Sequence, residues 1–489
     1  MKKIFIAGQW KLGGGKAVKS YYPADHSENA DVSTASLEDI NEAILAADKA
    51  WRDPAWRDTL PSEKAAILFK AANLLEAKKT FLAQLQTRDN GKPISETTAL
   101  VNSAITTTRY IASALETLDN ELTNQRIKSV LTFTTYEPLG VVAAITPWNS
   151  PIASEIQKIV PALAGGNAVI LKPAEATSLI ALELAAIFEE AGLPTGLLSV
   201  LTGKGSVVGE TIVKHPLVQK ISFTGSTSTG KHLAHVAADK LISTSLELGG
   251  KSPTIVFADA NINIAVNGVI YGIFSSSGQA CIAGSRLFIH QSIYDEFLDA
   301  LIEKTNKIIV GDPEASNTQM GPLISESHLK TVDDYVNMAR QAGGNVVAGG
   351  QRLTGEIYDK GAYYAPTIIT GLHNDAQICQ EEIFGPVLVV MPFSDEESLV
   401  AEANNSVYGL AAGIWTEDYR QAFDMAKRLE AGTIWINTYK KFSIATPFSG
   451  HKESGVGKEK GRLGILDYMQ TKSIFLNLDD TPNPWCEPK

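Results

Sequence analysis

The sequence predicts an α/β protein: a Rossmann-like, doubly wound parallel sheet, a second α/β domain after it, and a β arm leaving the first. Three observations predict this. Strand, turn and helix patterns alternate from residue 140 to 250, the alternation resumes from 251 to about 436, and a β-branched, aromatic segment near Ser129 follows a long helical stretch. A chain of 489 residues is in any case too long for one ordinary domain.

The chain opens irregularly. Met1-Lys2-Lys3-Ile4-Phe5-Ile6 briefly looks like a leader, but Gly8-Gln9-Trp10-Lys11 ends the apolar run early, and no apolar stretch of membrane-spanning length occurs. Ser36 reads as a helix N-cap with acid in the first turn, followed by Ile40, Ile44, Ala47 and Trp51 at helical spacing. Pro61-Ser62-Glu63 opens a second helix, and amphipathic helices continue to about Leu118 as scaffold without assigned chemistry. Residues 129–136 read as a strand, an arm suited to pairing with another subunit.

The parallel sheet begins with the continuous apolar runs 141–145 and 167–171, as strands buried on both faces require. Thr177 is expected to cap a helix whose core stripe is Ile180, Leu184, Ile187 and Phe188, stopped by Gly192 and Pro194. Strand 197–201, the turn Gly203-Lys204-Gly205, a short helix and strand 219–223 follow. The second series has strands at 254–257, 286–289 and 387–390. Residues 472–478 are strand-like and suited to pair with the arm, and the polar, Pro-containing tail 479–489 is expected to fray.

A net charge of −11 argues against nucleic acid or an anionic membrane surface as partner, since both need basic patches. Three cysteines, Cys281, Cys379 and Cys486, do not make a disulfide framework, which points to a reducing, cytoplasmic setting. No cysteine pair or histidine cluster has metal-ligand spacing, and His232 and His235 read as a solvated helix face.

The chemistry centres on Cys281. Its neighbours Gly278, Ala280, Ala283 and Gly284 leave room for backbone and ligand near the sulfur. A thiolate there would be a nucleophile; taken alone, the residue reads sooner as a buried structural cysteine, and the surrounding motifs turn the reading. Lys172 and Glu175 stand at a strand end, where an ammonium and a carboxylate bind a nucleotide or form a plain loop ion pair. Gly225-Ser226-Thr227-Ser228-Thr229-Gly230 turns a strand into a helix whose first amides suit a pyrophosphate. Glu247, at the end of the last strand of the first sheet, is either a general base facing an interdomain cleft or a salt-bridged glutamate. Asn149, between Pro147 and Pro151, is either a fixed amide donor to an oxyanion or part of a turn.

Together these segments resemble the aldehyde dehydrogenase superfamily. The matching stretches are Thr146 to Asn149, Lys172 to Glu175, Phe223 to Gly230, Leu246 to Lys251, Gly278 to Arg286, Glu381 to Val387, and the Gly-rich segment from Pro447 to Gly455. The resemblance implies that Cys281 attacks an aldehyde carbon, that Asn149 and the Cys281 amide hold the oxyanion, and that Glu247 activates the water that hydrolyses the thioester. It further implies that Lys172 and Glu175 take the adenosine ribose, Ser226 the pyrophosphate, Glu382 the nicotinamide ribose, and that Phe384 lies against the nicotinamide. Ile145, Thr146, Trp148, Gly205, Gly225, Gly230, Leu248 and Gly249 complete the implied cofactor contacts. A carboxylate at Glu175 repels a 2′-phosphate, so NAD is expected over NADP, a preference that Lys172 softens.

Ser154, Gln157, Ser275 and Ile282 stand where the resemblance places the substrate mouth, and Tyr439-Lys440-Lys441-Phe442 where it places the funnel wall. That lining suggests a small polar or carboxylated aldehyde, with Lys440 or Lys441 near the negative end and Phe442 beside it; two solvated lysines are the plainer alternative. Transfer of the acyl group to coenzyme A and a cofactor-independent thiol esterase are the competing activities. The expected domains are 1–122 with 140–250 for the dinucleotide and 251–436 for catalysis. Residues 123–139 and 465–489 form the arm and tail of a homodimer or homotetramer, and 437–464 returns to the interface.

Overall fold

The computed structural model describes residues 1–480 and 482–486, so part of the tail expected to fray lies outside the described residues. Its first sheet has eight strands, in the order Gln9–Lys11, Ile4–Ile6, Leu198–Val200, Ala168–Lys172, Val141–Ile145, Val218–Thr224, Ser243–Glu247 and Gly455–Val456. The five strands from Leu198–Val200 to Ser243–Glu247 are all parallel, while both flanks join antiparallel. Along the chain, strand order runs outward from Val141–Ile145 in one direction and then reverses. The crevice of a doubly wound sheet opens at such a reversal, beyond the carboxyl ends of the strands.

The second sheet has seven strands, ordered Asn345–Ala348, Thr367–Thr370, Val387–Phe393, Arg286–His290, Pro253–Val256, Ala411–Trp415 and Thr433–Ile436. Only the first of these runs antiparallel to its neighbour. The return segment touches both sheets: Gly455 pairs with Glu247, the Lys441 carbonyl accepts from Trp435 Nε1 (2.8 Å), and His451 pairs with Gly409 in a separate two-stranded sheet. Val130–Pro138 and Met469–Asn477 pair antiparallel from Pro138↔Met469 to Val130↔Asn477, with Glu121–Leu122 as a third strand.

Local sequence explains most of these elements. Ser36 caps Leu37–Arg52 in a capping box with Asp39. Val141–Ala144 and Ala168–Lys172 are wholly buried, as their apolar runs demand. Two expectations need correction. The opening is not irregular, because Ile4–Ile6 pairs through Phe5 with Val200 at the sheet edge and Gly15–Tyr21 forms a ribbon with Glu28–Thr34. Thr177 lies in a 3₁₀ turn (Glu175–Thr177) and does not cap Leu179–Ala191. The carboxylate of Asp89, from a distant helix, accepts from Leu179 N instead (3.0 Å), so tertiary contact replaces a local cap. Among the described residues no helix is long and apolar enough to cross a membrane, and no group of three or more His, Cys, Asp or Glu side chains could hold a metal ion. His232 faces Glu210 across 2.8 Å.

Candidate active site

Cys281 follows a short strained turn. Ser276, Ser277 and Gly278 all have positive φ (60°, 54° and 70°), which non-glycine residues hold only when their surroundings enforce it. Glu96 supplies that force at Ser276, accepting from its N–H (2.7 Å) and its hydroxyl (2.6 Å), and Ser277 donates to the carbonyl of Gly321 (2.8 Å). A Cβ at Gly278 would stand 2.0 Å from the carbonyl oxygen of Gly385, and one at Gly284 would stand 2.5 Å from Thr254 Oγ1. These two small residues therefore admit neighbouring protein atoms; at these positions the space expected for a ligand is filled.

The sulfur opens on a cavity of about 390 Å³ whose lining includes Asn149, Glu247, Ser154, Gln157, Ser275, Ile282, Lys440 and Phe442. All the expected catalytic and substrate positions thus meet in one space, except Lys441, the alternative to Lys440, which does not line it. The Asn149 side chain donates one N–H to the carbonyl of Gln279 (2.9 Å), which fixes the amide and leaves its second N–H free. Glu247 is buried, and among the described residues neither of its carboxyl oxygens has a hydrogen-bond partner. Burial, and then the nearby Glu459 carboxylate, hold its pKa well above the usual carboxylate range, while Lys158, Lys460 and Lys458 pull the other way. Burial also pushes the Cys281 thiol up to about 12, aided by Glu382 and Glu247 and opposed by the amides of Ile282 and Cys281. The thiol is thus favoured over the thiolate, and attack by this sulfur would need a base to take its proton.

The strand-end groove borders this cavity. Among the described residues Thr146 Oγ1 is buried there without a partner and the buried Lys172 ammonium donates only to the carbonyl of Pro173 (2.5 Å), its pKa lowered to about 8 by burial. Glu175 lines a neighbouring 540 Å³ cavity with Lys204 and Val208. Ser226 caps Thr227–Lys240, and a Cβ at Gly230 would lie 2.3 Å from Leu248, so glycine lets that helix close on the strand end. Gly225 packs in the same way against the ring of Phe223, at 2.4 Å from a built Cβ. Gly249 faces Glu382, whose carboxylate accepts from Gly250 N (3.1 Å) and is raised to about 7 by burial. Phe384 (φ 59°) stands edge-on to Trp148 at 5.2 Å, and His328 bonds the Phe384 carbonyl at 2.8 Å. Gly209, absent from the expected contacts, lies over Ile145 and Lys172, whereas a Cβ at Gly205 would meet nothing within 4 Å. The unpartnered hydroxyl, the buried ammonium and the glycine-lined strand ends fit a dinucleotide.

Sequence reasoning missed several lining residues. Glu96, Leu100 and Ser103 come from Ile94–Glu116, read as scaffold, because a helix face turned to a cavity has the same polarity as one turned to water. Tyr271, Phe448, Glu459 and Lys460 also line the cavity, with Glu459 held by Lys158 at 2.6 Å.

These features define a two-sheet α/β protein with a cysteine opening on a cavity beside a groove that suits a dinucleotide. The model of the aldehyde dehydrogenase family matches residues 10–474, and the chain belongs to that family. It is 39% identical to the Bacillus subtilis (strain 168) protein DhaS over 98% of this chain and 96% of that protein. An aldehyde dehydrogenase from Bacillus cereus in its NAD+ complex superposes with a TM-score of 0.95 at 39% identity, covering 98% of this chain and 97% of the other. Betaine aldehyde dehydrogenase from Staphylococcus aureus, also with NAD+, gives 0.98 at 34% identity, covering 100% and 97%.

Proposed function

We propose that this enzyme oxidises a small polar or carboxylated aldehyde to the free acid, with NAD as electron acceptor. The observation that carries the reading is the single cavity shared by the Cys281 thiol, the Asn149 amide, the Glu247 carboxyl and the Lys440 ammonium. The sulfur adds to the aldehyde carbon as Glu247, a base strengthened by its raised pKa, takes its proton. Negative charge then gathers on the carbonyl oxygen, where the free N–H of Asn149 and the Cys281 amide stabilise it. When bound in the strand-end groove, NAD supplies the hydride acceptor; Thr146, Lys172 and Glu382 are the residues that would hold it. Once Glu247 has released the thiol's proton to solvent, a thioester on Cys281 is hydrolysed by water whose proton Glu247 accepts, which favours the acid over transfer to coenzyme A.

Lys440 is the substrate-side feature. Its ammonium donates to Ser275 Oγ (2.7 Å) and lies 5.8 Å from the Tyr271 ring centre, and burial lowers its pKa to about 8. At neutral pH it is therefore largely charged and available to a carboxylate. The exposed Leu122, Phe475 and Leu476 of the three-stranded arm support its use in a homodimer or homotetramer, and three unpaired cysteines fit a cytoplasmic setting. An aldehyde panel followed at the NADH absorbance band, run with NAD and with NADP, tests the reading. Succinic semialdehyde is expected to exceed hexanal in kcat/KM with NAD; preference for hexanal would remove the substrate class, and no NADH from any aldehyde would remove the reaction.

A further inference from the structure

The charges of the cavity do not cancel. Glu96 pairs with Lys92 (3.6 Å) and is bonded to Ser276, and Glu459 is taken by Lys158. Burial favours the neutral form of Glu247, and it also lowers the Lys460 pKa, against the pull of Glu459, Glu247 and Cys281 toward the ammonium. Two ammonium groups remain, those of Lys440 and Lys460. Lys440 has the Ser275 hydroxyl as a partner and Glu96 nearby. The Lys460 ammonium has no hydrogen bond or ion pair among the described residues: it lies 3.8 Å from the Phe442 ring centre and 5.1 Å from that of Phe448.

Two aromatic faces at such distances are a receptor for a cation, and an empty pair would suit a substrate with a quaternary ammonium group. Here the protein's own ammonium occupies them. The rings hold the charge in place without neutralising it, and the side chain stands at the wall of the space where the aldehyde must lie. A cationic substrate meets repulsion there, and an anionic one meets a preorganised donor whose desolvation has already been met in folding.

We propose that Lys460, seated on Phe442 and Phe448, sets the sign of the aldehyde this enzyme accepts, receiving the carboxylate of an anionic aldehyde and rejecting a cationic one. The proposal rests on aldehyde oxidation at Cys281 and deepens it. A competing role is to steady Glu247 or Glu459, both of which act electrostatically on Lys460. That role would affect every aldehyde alike.

The test compares kcat/KM for succinic semialdehyde, butanal and betaine aldehyde in wild type, Lys460→Met, Lys460→Arg and Lys440→Met, with saturating NAD. Each ratio is taken within one variant, so a partly unfolded preparation cancels out, and Lys460→Gln serves if the Met variant does not accumulate. Lys460→Met is expected to lower the succinic semialdehyde to butanal ratio by about tenfold, the effect of one lost charge contact. The betaine aldehyde to butanal ratio rises in the same variant, and Lys460→Arg keeps both ratios near wild type. If wild type favours succinic semialdehyde but Lys460→Met leaves the ratio intact while Lys440→Met collapses it, the proposal is overturned and the reading of the site stands. A uniform loss across the three aldehydes with a shifted pH profile overturns it in favour of the Glu247 role. No oxidation of any aldehyde by wild type removes the underlying reading itself.

Discussion

The strand-end groove and the aldehyde cavity lie at the same sheet edge, yet their polar groups are kept in different states. In the groove, apart from the unpartnered Thr146 hydroxyl, these groups are tied to backbone: Lys172 to the Pro173 carbonyl, Glu382 to Gly250 N, and Ser226 to its own helix. In the cavity Lys440, Glu96 and Glu459 have side-chain or backbone partners, but three groups have none among the described residues: both oxygens of Glu247, the second N–H of Asn149 and the ammonium of Lys460. A group tied to backbone recognises a fixed shape, whereas an unpartnered buried group stores interaction free energy for whatever forms during reaction. Under the proposed function, the groove suits a constant ligand and the cavity a changing one.

Removing the nucleophile gives the largest effect. Cys281→Ser is expected to lower NADH formation from any aldehyde by about 10³-fold or more, with dinucleotide affinity by calorimetry near wild type. Loss of both together would mean the two regions are not separable. Glu247→Gln comes next: steady-state kcat falls by about 10²-fold through loss of the base. Rapid mixing discriminates its two roles. A retained burst of about one NADH per site places Glu247 in thioester hydrolysis alone, and loss of the burst places it in thiol activation as well.

A smaller effect is expected on the groove side. Gly230→Ala puts a methyl 2.3 Å from Leu248, so the helix carrying Ser226 must move. Overpacking of this kind costs about 1–3 kcal/mol, and if a third to a half of it falls on the bound state, dinucleotide affinity drops by roughly tenfold or less. The same variant should leave the acylation of Cys281 by a reactive ester unchanged, which a stopped-flow assay without dinucleotide would show.

The contrast also explains what could be read in advance. Groove residues lie in short motifs at strand ends, so Lys172, Ser226 and Gly230 were legible where a continuous apolar run such as Val141–Ile145 gave way to a turn. The cavity is assembled from segments far apart in the chain: Glu96 from a helix, Tyr271 from another, and Lys460 from the return segment. Lys460 sits in Gly457-Lys458-Glu459-Lys460-Gly461, which as sequence is a solvated charge run, and only the positive φ of Lys460 (59°) and the packed rings make it a cavity wall. The opening strands escaped notice for a related reason: Ile4–Ile6 is three residues long and joins the main sheet through one residue pair, too short for any periodicity.

The smallest predicted effect separates the regions by pH. Burial lowers the Lys172 pKa to about 8, so the ammonium is charged at pH 7 and largely neutral at 9.5. Glu247 is shifted the other way, well above the usual carboxylate range, so its basic form gains with rising pH. Alkaline pH should therefore favour the chemistry in the cavity while weakening the hold of the groove on an anionic dinucleotide. KM for NAD is expected to rise about threefold from pH 7 to 9.5 while kcat increases, the modest size reflecting one partly screened charge contact among several. Lys172→Met should raise KM at pH 7 and flatten its pH dependence with the kcat profile unmoved. If KM instead stays constant across that range in wild type, the Lys172 ammonium makes no contact that discriminates its two charge states, and the groove recognises the dinucleotide through its backbone and hydroxyl groups.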